Sequence, residues 1–431
     1  MKSADYEVGD PRRATGVESR EGFGRKSSAS FIASCVAVER NNEDFEIDLE
    51  TETRVSPTSF RLHATGVKGF LKVSDMIDQL PEALILKILS SLPTKTVLST
   101  SSSSKEWQSR WKSVPKFEFN SEDYESEHQT FPEVVSKSFF SSEAAVLDCF
   151  HLTCGSDQVD PVDVVHWIDT AFARQLRTLV LDFISDDDEY LFTSRLCNCD
   201  TLETLKLGSM IIVDVSSPGS MKSLKTLHTY AWYQNDESIL NLLSSCRILE
   251  ELVVGRSAEH TVSFFTIEVP SLKRLVIYDD NSCTEFFGYT IVAPSLKYLK
   301  IEELRCPQFS LNAPDLVEAN IAGVSSGINE SLASVRRLFL DLSPSETPSG
   351  CIFYQLVYLQ IYTHEPDWYD LLTWMLERSP KLQVLKLVDE YTKHRVSGWE
   401  WNKPKDIPEC LLLHLETLVW TRYDWRKENE E

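Results

Sequence analysis

Leu176-Arg-Thr-Leu179-Val-Leu181 and Leu202-Glu-Thr-Leu205-Lys-Leu207 carry one pattern, L-x-x-L-x-L, and its recurrence decides the fold. It returns as Leu224-Lys-Thr-Leu227 and again, in near variants, from Leu249, Leu272, Leu296, Leu316, Val335, Leu356, Leu382 and Leu415. Successive starts from Leu176 to Leu382 lie 19 to 26 residues apart, and a degenerate unit spans Val146 to Leu152. Side chains alternate across a strand, so the leucines at the fourth and sixth positions share one face. No single unit can cover that apolar face, and neighbours must stack to bury it.

Spacing of about 20–29 residues is that of the leucine-rich repeat. It predicts an α/β architecture, a curved solenoid with a parallel β-sheet on its concave face. Ser238 to Cys246 and Trp368 to Leu376 read as helices of the outer layer. In the middle units, Val269-Pro270-Ser271-Leu272, Ala293-Pro294-Ser295-Leu296 and Ala313-Pro314-Asp315-Leu316 place a proline turn just before the strand. A proline there forbids a helix, so those units should have thin convex sides.

The third, fifth and seventh positions of each unit then face the concave side. They supply His228 and Tyr230, Arg274 and Tyr278, Tyr298 and Lys300, Arg337 and Phe339, and Tyr358 and Tyr362. Tyrosine and arginine are favoured anchors of protein interfaces. Aromatics also favour strands for their own sake, so this stripe is either a target-binding surface or ordinary strand composition. No cluster of cationic residues marks a small-ligand pocket.

Upstream, Leu80-Pro81-Glu82-Ala83-Leu84-Ile85-Leu86-Lys87-Ile88-Leu89 reads as a short helix. Pro81 suits a first helical residue, and Glu82 complements the positive end of the helix dipole. Leu84, Ile85, Ile88, Leu89 and Leu92 form one apolar stripe. Pro93 ends the helix, Thr94 is placed to cap a second one carrying Val97 and Leu98, and a third opens at Ser103 with Trp107 and Trp111 one turn apart. Three helices in so short a stretch leave much apolar surface over. Such a unit either caps the domain that follows or offers that surface to a partner's groove.

This stretch resembles an F-box. Leu80-Pro81, Ile88-Leu89-Ser90, Leu92-Pro93-Thr94-Lys95, Thr100-Ser101, Ser104-Lys105, Trp107, Trp111 and Val114-Pro115 match the family pattern in order. The resemblance implies docking on the Skp-family adaptor, and through it on a cullin, of a ubiquitin ligase. The docking residues it implies are Leu80, Pro81, Leu84, Ile85, Ile88, Leu89, Leu92, Pro93, Trp107 and Trp111. Three positions depart from the pattern: Glu82 stands for Asp, Ser103 for Leu and Glu106 for Arg. Burying a leucine is worth about 1.5–3 kcal/mol, so Ser103 is expected to loosen the grip.

At the other end, Trp401, Pro404, Ile407 to Leu412, Leu415-Glu416-Thr417, Trp420 and Tyr423 resemble the opening of the FBD domain, which follows such repeats in many plant F-box proteins. The family continues with another helical segment, whereas this sequence stops at Glu431, so the module reads as shortened. Ile407 to Tyr423 are placed to cap the last repeat. The expected organisation is an extension over 1–73 too polar to order, the F-box over 74–119, a solvated linker over 120–145, the solenoid over 146–400 and the FBD-like cap over 401–431.

A formal net charge of −23 argues against binding a nucleic-acid backbone. No apolar run approaches the roughly 18 residues of a membrane span. Ten cysteines without a C-x-x-C pair read as reduced thiols, placing the protein in the cytoplasm or nucleus. The sequence holds no catalytic or nucleotide-binding motif and implies no enzyme activity, cofactor or metal. Asp186 to Glu189 reads as a solvated loop and Asn329-Glu330-Ser331 as an idle sequon. The expected function is substrate recognition for a ligase; the rival is a repeat scaffold or decoy with a weakened F-box.

Overall fold

The structure, a computed structural model, describes residues 80–101, 107–124, 129–155, 158–184, 190–256, 262, 264–279, 288–302, 308–322, 332–342, 351–363, 368–388 and 406–421. The 1–73 extension, Ser103, Glu106, Asp186 to Glu189, Asn329 to Ser331, Trp401, Pro404 and Tyr423 lie outside the described residues.

Among the described residues nineteen strands follow in chain order: β1 (Lys116–Asn120), β2 (Cys149–Gly155), β3 (Thr178–Ile184), β4 (Tyr190–Thr193), β5 (Thr204–Leu207), β6 (Ile211–Asp214), β7 (Thr226–Thr229), β8 (Trp232–Tyr233), β9 (Glu251–Arg256) and β10 (Phe264–Glu268). The remainder are β11 (Arg274–Asp279), β12 (Gly288–Val292), β13 (Tyr298–Glu302), β14 (Gln308–Asn312), β15 (Glu318–Ala322), β16 (Arg337–Asp341), β17 (Tyr358–Tyr362), β18 (Val384–Val388) and β19 (Thr417–Thr421). Thirteen of them make one sheet in the order β1-β2-β3-β5-β7-β9-β11-β13-β15-β16-β17-β18-β19, and its pairings are parallel. From β3 on, each strand of this sheet starts two residues after a repeat start, as Thr178 follows Leu176.

The leucine positions point into one continuous core: Leu179, Leu205, Leu227, Leu252, Leu275 and Leu299 are all fully buried. Two small parallel sheets, β4-β6-β8 and β10-β12-β14, close the far side of that core. The second of these precedes the prolines at 270, 294 and 314, where turns run from Leu272 N–H to Val269, Leu296 N–H to Ala293 and Leu316 N–H to Ala313 at 3.0–3.1 Å. The thin convex side expected of the middle units is therefore made by short strands.

Eight helices are described: α1 (Glu82–Ser90), α2 (Thr94–Thr100), α3 (Trp107–Arg110), α4 (Phe131–Phe140), α5 (Pro161–Ala173), α6 (Asp236–Ser244), α7 (Trp368–Arg378) and α8 (Glu409–Leu413). The α6 and α7 helices are the two the sequence marks out. In α5, capped by Asp160 through Val162 N–H, Val164, Trp167, Ile168 and Ala171 fall at helical spacing and are buried.

The 120–145 stretch is not a solvated linker throughout. Within it, α4 starts with a capping box between Thr130 and Glu133 and drives Phe131, Val135 and Phe139 into the main core. The Phe139 ring meets Phe117 edge-on at 5.4 Å and packs on Phe150 at 5.0 Å. Phe117 and Phe119 belong to β1, so the last residues of the F-box stretch are already the first strand of the sheet. At the other end, α8 rests on α7 through buried Cys410, whose thiol reaches the Leu376 carbonyl, while Leu412, Leu413 and Leu418 stay exposed.

Candidate partner-binding surfaces

The N-terminal helices hold a small core of their own, separate from the solenoid's. Ile85, Leu89, Leu92, Val97, Trp107 and Val114 fill it, with Leu80, Leu86, Ile88 and Trp111 packed around them. The single stripe read from the sequence is thus split. Ile85, Leu89, Leu92 and Trp107 face inward and shape the unit, whereas Leu84 is 48% exposed and Ile88, one turn on, is half-buried. Pro81 and Pro93 are exposed, and Leu80 and Trp111 are half-buried. Of the ten residues that the resemblance implies, Leu80, Pro81, Leu84, Ile88, Pro93 and Trp111 keep exposed surface.

Two local details also differ from expectation. Pro81 stands at the N-cap of α1, its carbonyl accepting from Leu84 and Ile85 N–H at 2.9 and 3.2 Å. Thr94 does not cap α2; it is buried, and its Oγ1 accepts from Glu118 N–H on β1 at 2.6 Å. Arg110 lies 4.7 Å over the Trp107 ring and 3.5 Å from Glu82, tying α3 to the start of α1.

The second surface is the concave face. The strand register lays the residues of the third repeat position side by side across neighbouring strands. From β9 to β17 this row reads Glu251, Arg274, Tyr298, Glu318, Arg337, Tyr358. One triplet occurs twice. Arg274 Nε is 3.5 Å from Glu251 on one side and its guanidinium 3.9 Å over the Tyr298 ring on the other. Arg337 Nε is 3.0 Å from Glu318, with its guanidinium 4.8 Å over Tyr358 and 5.9 Å over Phe339. The Tyr358 hydroxyl donates to Gln360 Oε1 at 3.1 Å.

Beside this row lie Tyr230 and Tyr278, stacked at 6.2 Å with an interplanar angle of 25°. Lys300 bonds Glu302 at 2.7 Å and sits 5.5 Å over the Tyr278 ring. Burial opposes the Lys300 ammonium, but the Glu302 carboxylate more than offsets it and holds its pKa above the ordinary value. His228, 3.6 Å from Glu251, is too far for a hydrogen bond; burial first, then Lys206, lowers its pKa. Tyr362 is half-buried at the edge of the same face. Nine of the ten residues read from the sequence thus sit on strands of one sheet, and the tenth, Tyr230, directly follows the end of β7. Sequence reading missed the two glutamates, although aligning the units on their third position spells E-R-Y-E-R-Y.

Beneath the face, Arg256 and Asp279 occupy inward positions, 4.0 Å apart and almost wholly buried. The Tyr289 hydroxyl donates to Asp279 at 2.6 Å, and Arg256 donates to the Val262 carbonyl. Burial, then the Asp279 charge, pushes the Tyr289 phenol well above its ordinary pKa, so it stays a donor. This trio ties β9 and β11 to the outer strand β12. Among the described residues no helix is long and apolar enough to cross a membrane, and no three His, Cys, Asp or Glu side chains are grouped to hold a metal. The seven described cysteines are thiols, six of them buried. Burial pushes Cys149 up to about 11 and Cys197 up to about 12.

A helical unit with its own core, followed by a parallel-strand solenoid, is the architecture of an F-box joined to leucine-rich repeats, and comparison with known proteins agrees. The sequence matches the F-box domain over residues 77–119, the repeats of the FBD-associated F-box protein At5g56370 over 164–317 and the FBD over 403–431. It is 55% identical to the F-box/FBD/LRR-repeat protein At4g00160 of Arabidopsis thaliana, covering 83% of this chain and 82% of that one. Identity to the F-box/FBD/LRR-repeat protein At3g52680 of the same plant is 54%, over 88% and 85%. The chain belongs to the F-box/FBD/LRR-repeat family.

Proposed function

We propose that this protein is a substrate-recognition adaptor of a Skp–cullin–F-box ubiquitin ligase. Its F-box docks on the Skp-family subunit, which connects it to the cullin, and the concave face of the repeats holds a target protein. It makes and breaks no bonds itself; it contributes proximity between the target and the transferring subunits. The reduced thiols and acidic surface suit the cytoplasm or nucleus.

The observation that carries this reading is the F-box core standing apart from the solenoid core, with Leu84 left exposed and Ile88 beside it. A helix stripe of this kind lies in a partner's hydrophobic groove. Co-purification with a recombinant Skp-type subunit tests it: the wild-type chain is recovered and the Leu84→Asp/Ile88→Asp variant is not. Equal recovery of both, with the fold of the variant confirmed by circular dichroism, rejects the docking face.

Ser103 and Glu106, where the family pattern has Leu and Arg, favour a second reading in which the repeats act as a scaffold or decoy outside any ligase. Ser103→Leu separates the two. A large gain in adaptor affinity from an undetectable baseline favours the scaffold; a small gain on measurable binding favours the ligase.

A further inference from the structure

In both copies of the Glu–Arg–Tyr triplet the arginine is the outermost charged group. The Arg274 side chain is 44% exposed against 35% for Glu251, and Arg337 is 51% exposed against 30% for Glu318. Each glutamate approaches its arginine most closely at Nε, and the tyrosine ring covers one flat face of the guanidinium. That leaves the terminal nitrogens as the edge turned to an incoming group, and this edge grips a carboxylate with two parallel hydrogen bonds. Carboxylate on one side and ring on the other also hold the long side chain in place before any partner arrives, which lowers the entropy lost on binding.

The two stations sit at a fixed separation. From β11 to β16 is three strand steps, through β13 and β15. At about 4.8 Å per step this is about 14 Å along the sheet, and somewhat less at side-chain tips that converge on a concave face. An extended peptide advances about 3.3 Å per residue, so four residues cover about 13 Å. Residues i and i+4 also point to the same side of such a peptide, whereas i+3 and i+5 point away.

We propose that Arg274 and Arg337 bind an extended segment of the target that runs across the strands and presents carboxylate side chains four residues apart. This rests on the reading of the concave face as the target-binding surface and gives that surface a sequence rule. The chain's overall negative charge does not forbid an acidic ligand. At physiological salt, charges beyond about 8 Å are screened, and the arginine tips are the nearest charges the ligand meets.

The test uses the full chain and short labelled peptides of a β-favouring uncharged host carrying two Asp residues at i,i+2 through i,i+6, with Asn and Lys versions of each. Binding is followed by fluorescence anisotropy. The i,i+4 Asp peptide is expected to bind about tenfold tighter than its i,i+3 and i,i+5 counterparts, a difference of about 1.4 kcal/mol. Arg274→Ala and Arg337→Ala should each erase that preference while circular dichroism stays unchanged. Equal affinity at every spacing overturns the proposal, as does a preference for Lys peptides or a spacing preference that survives both substitutions. The broader reading is scored separately, on ubiquitination of a physiological target. An Arg274→Ala/Arg337→Ala variant that loses its target while wild type shows no spacing preference removes the peptide rule and leaves the concave face standing. One that keeps its target removes the peptide rule, and the concave face itself falls only if a Tyr230→Ala/Tyr278→Ala/Tyr358→Ala variant keeps the target as well.

Discussion

The ring of Tyr230 lies directly on Gly255, so that a Cβ at residue 255 would collide with the ring carbon Cδ1. Gly255 sits on β9 between the end of β7 and β11, and its missing side chain is what lets the Tyr230 ring cross to stack on Tyr278. Gly255→Ala should displace the ring at a cost of about 1–3 kcal/mol, the range for forcing one extra carbon into packed space. Urea denaturation measures it. Tyr230→Ala in the Gly255→Ala background should cost less than the sum of the two single changes, because the clash is then gone.

Asp279→Asn should destabilise the solenoid by about 3–5 kcal/mol, since it strands the Arg256 charge in the core. Replacing both with apolar residues, Arg256→Met/Asp279→Leu, should recover most of that loss. Tyr289→Phe removes one hydrogen bond to a charged acceptor and should cost about 1.5–3 kcal/mol. Thermal melts of the three variants rank them; a double variant as unstable as Asp279→Asn would contradict the account.

Stability should fall as the solution is acidified through the histidine range. His151 and His228 both have pKa values lowered from 6.5, by burial first, and Lys206 on the intervening β5 pushes each the same way. Glu118 and Asp182 near His151, and Glu251 near His228, pull in the other direction, while Lys116 and Arg274 add to the lowering. The unfolded chain takes up these protons at about pH 6.5 and the folded chain only below it, so the unfolded state binds more protons in that window. The stabilisation is complete above about pH 7 and is lost as pH drops through 6.5 towards the folded values. Urea midpoints from about pH 7.5 to 5 should show this slope, and His151→Asn/His228→Asn should flatten it.

Leu89→Ala and Leu84→Ala should separate folding from docking. Leu89 is fully buried in the small helical core, so its truncation should cost about 2–5 kcal/mol and loosen α1 to α3. Leu84 is half exposed, so its loss should leave the melting curve within about 0.5 kcal/mol of wild type while adaptor capture drops. Hydrogen exchange on the helices, read beside co-purification, distinguishes the two.

The strands of the solenoid were legible because leucine at two fixed positions marks both their location and their inward face; Thr178 follows Leu176 as Val384 follows Leu382. The β1 strand was not, although Lys116-Phe-Glu-Phe-Asn120 alternates, because it falls inside the F-box pattern and before the first repeat. The α4 helix carried a readable Thr130-Phe-Pro-Glu133 start, but the acidic residues just before it dominated the reading of that region. On the concave face the aromatic and basic members stood out by type. Their glutamate partners did not, since Glu251 meets Arg274, and Glu318 meets Arg337, across consecutive repeats, and neither glutamate stands out until the units are aligned on their third position. Arg256 and Asp279 were invisible for a different reason: nothing in their spacing marks two charged residues at the ends of β9 and β11 as turning inward to meet each other.

The join between the F-box and the sheet has its own consequence. Thr94 is fastened to Glu118, Asp148 N–H to the Pro115 carbonyl at 2.7 Å and Glu143 N–H to the Lys112 carbonyl at 2.7 Å, so the helices hand over to the strands without a hinge. Whatever rides on the β11 to β16 surface is then held at a set offset from the docking end, counted out in strand steps. Under the proposed adaptor role, deleting or adding one repeat would move a bound target by about 5 Å relative to the F-box, so the number of repeats would act as a ruler between the two ends.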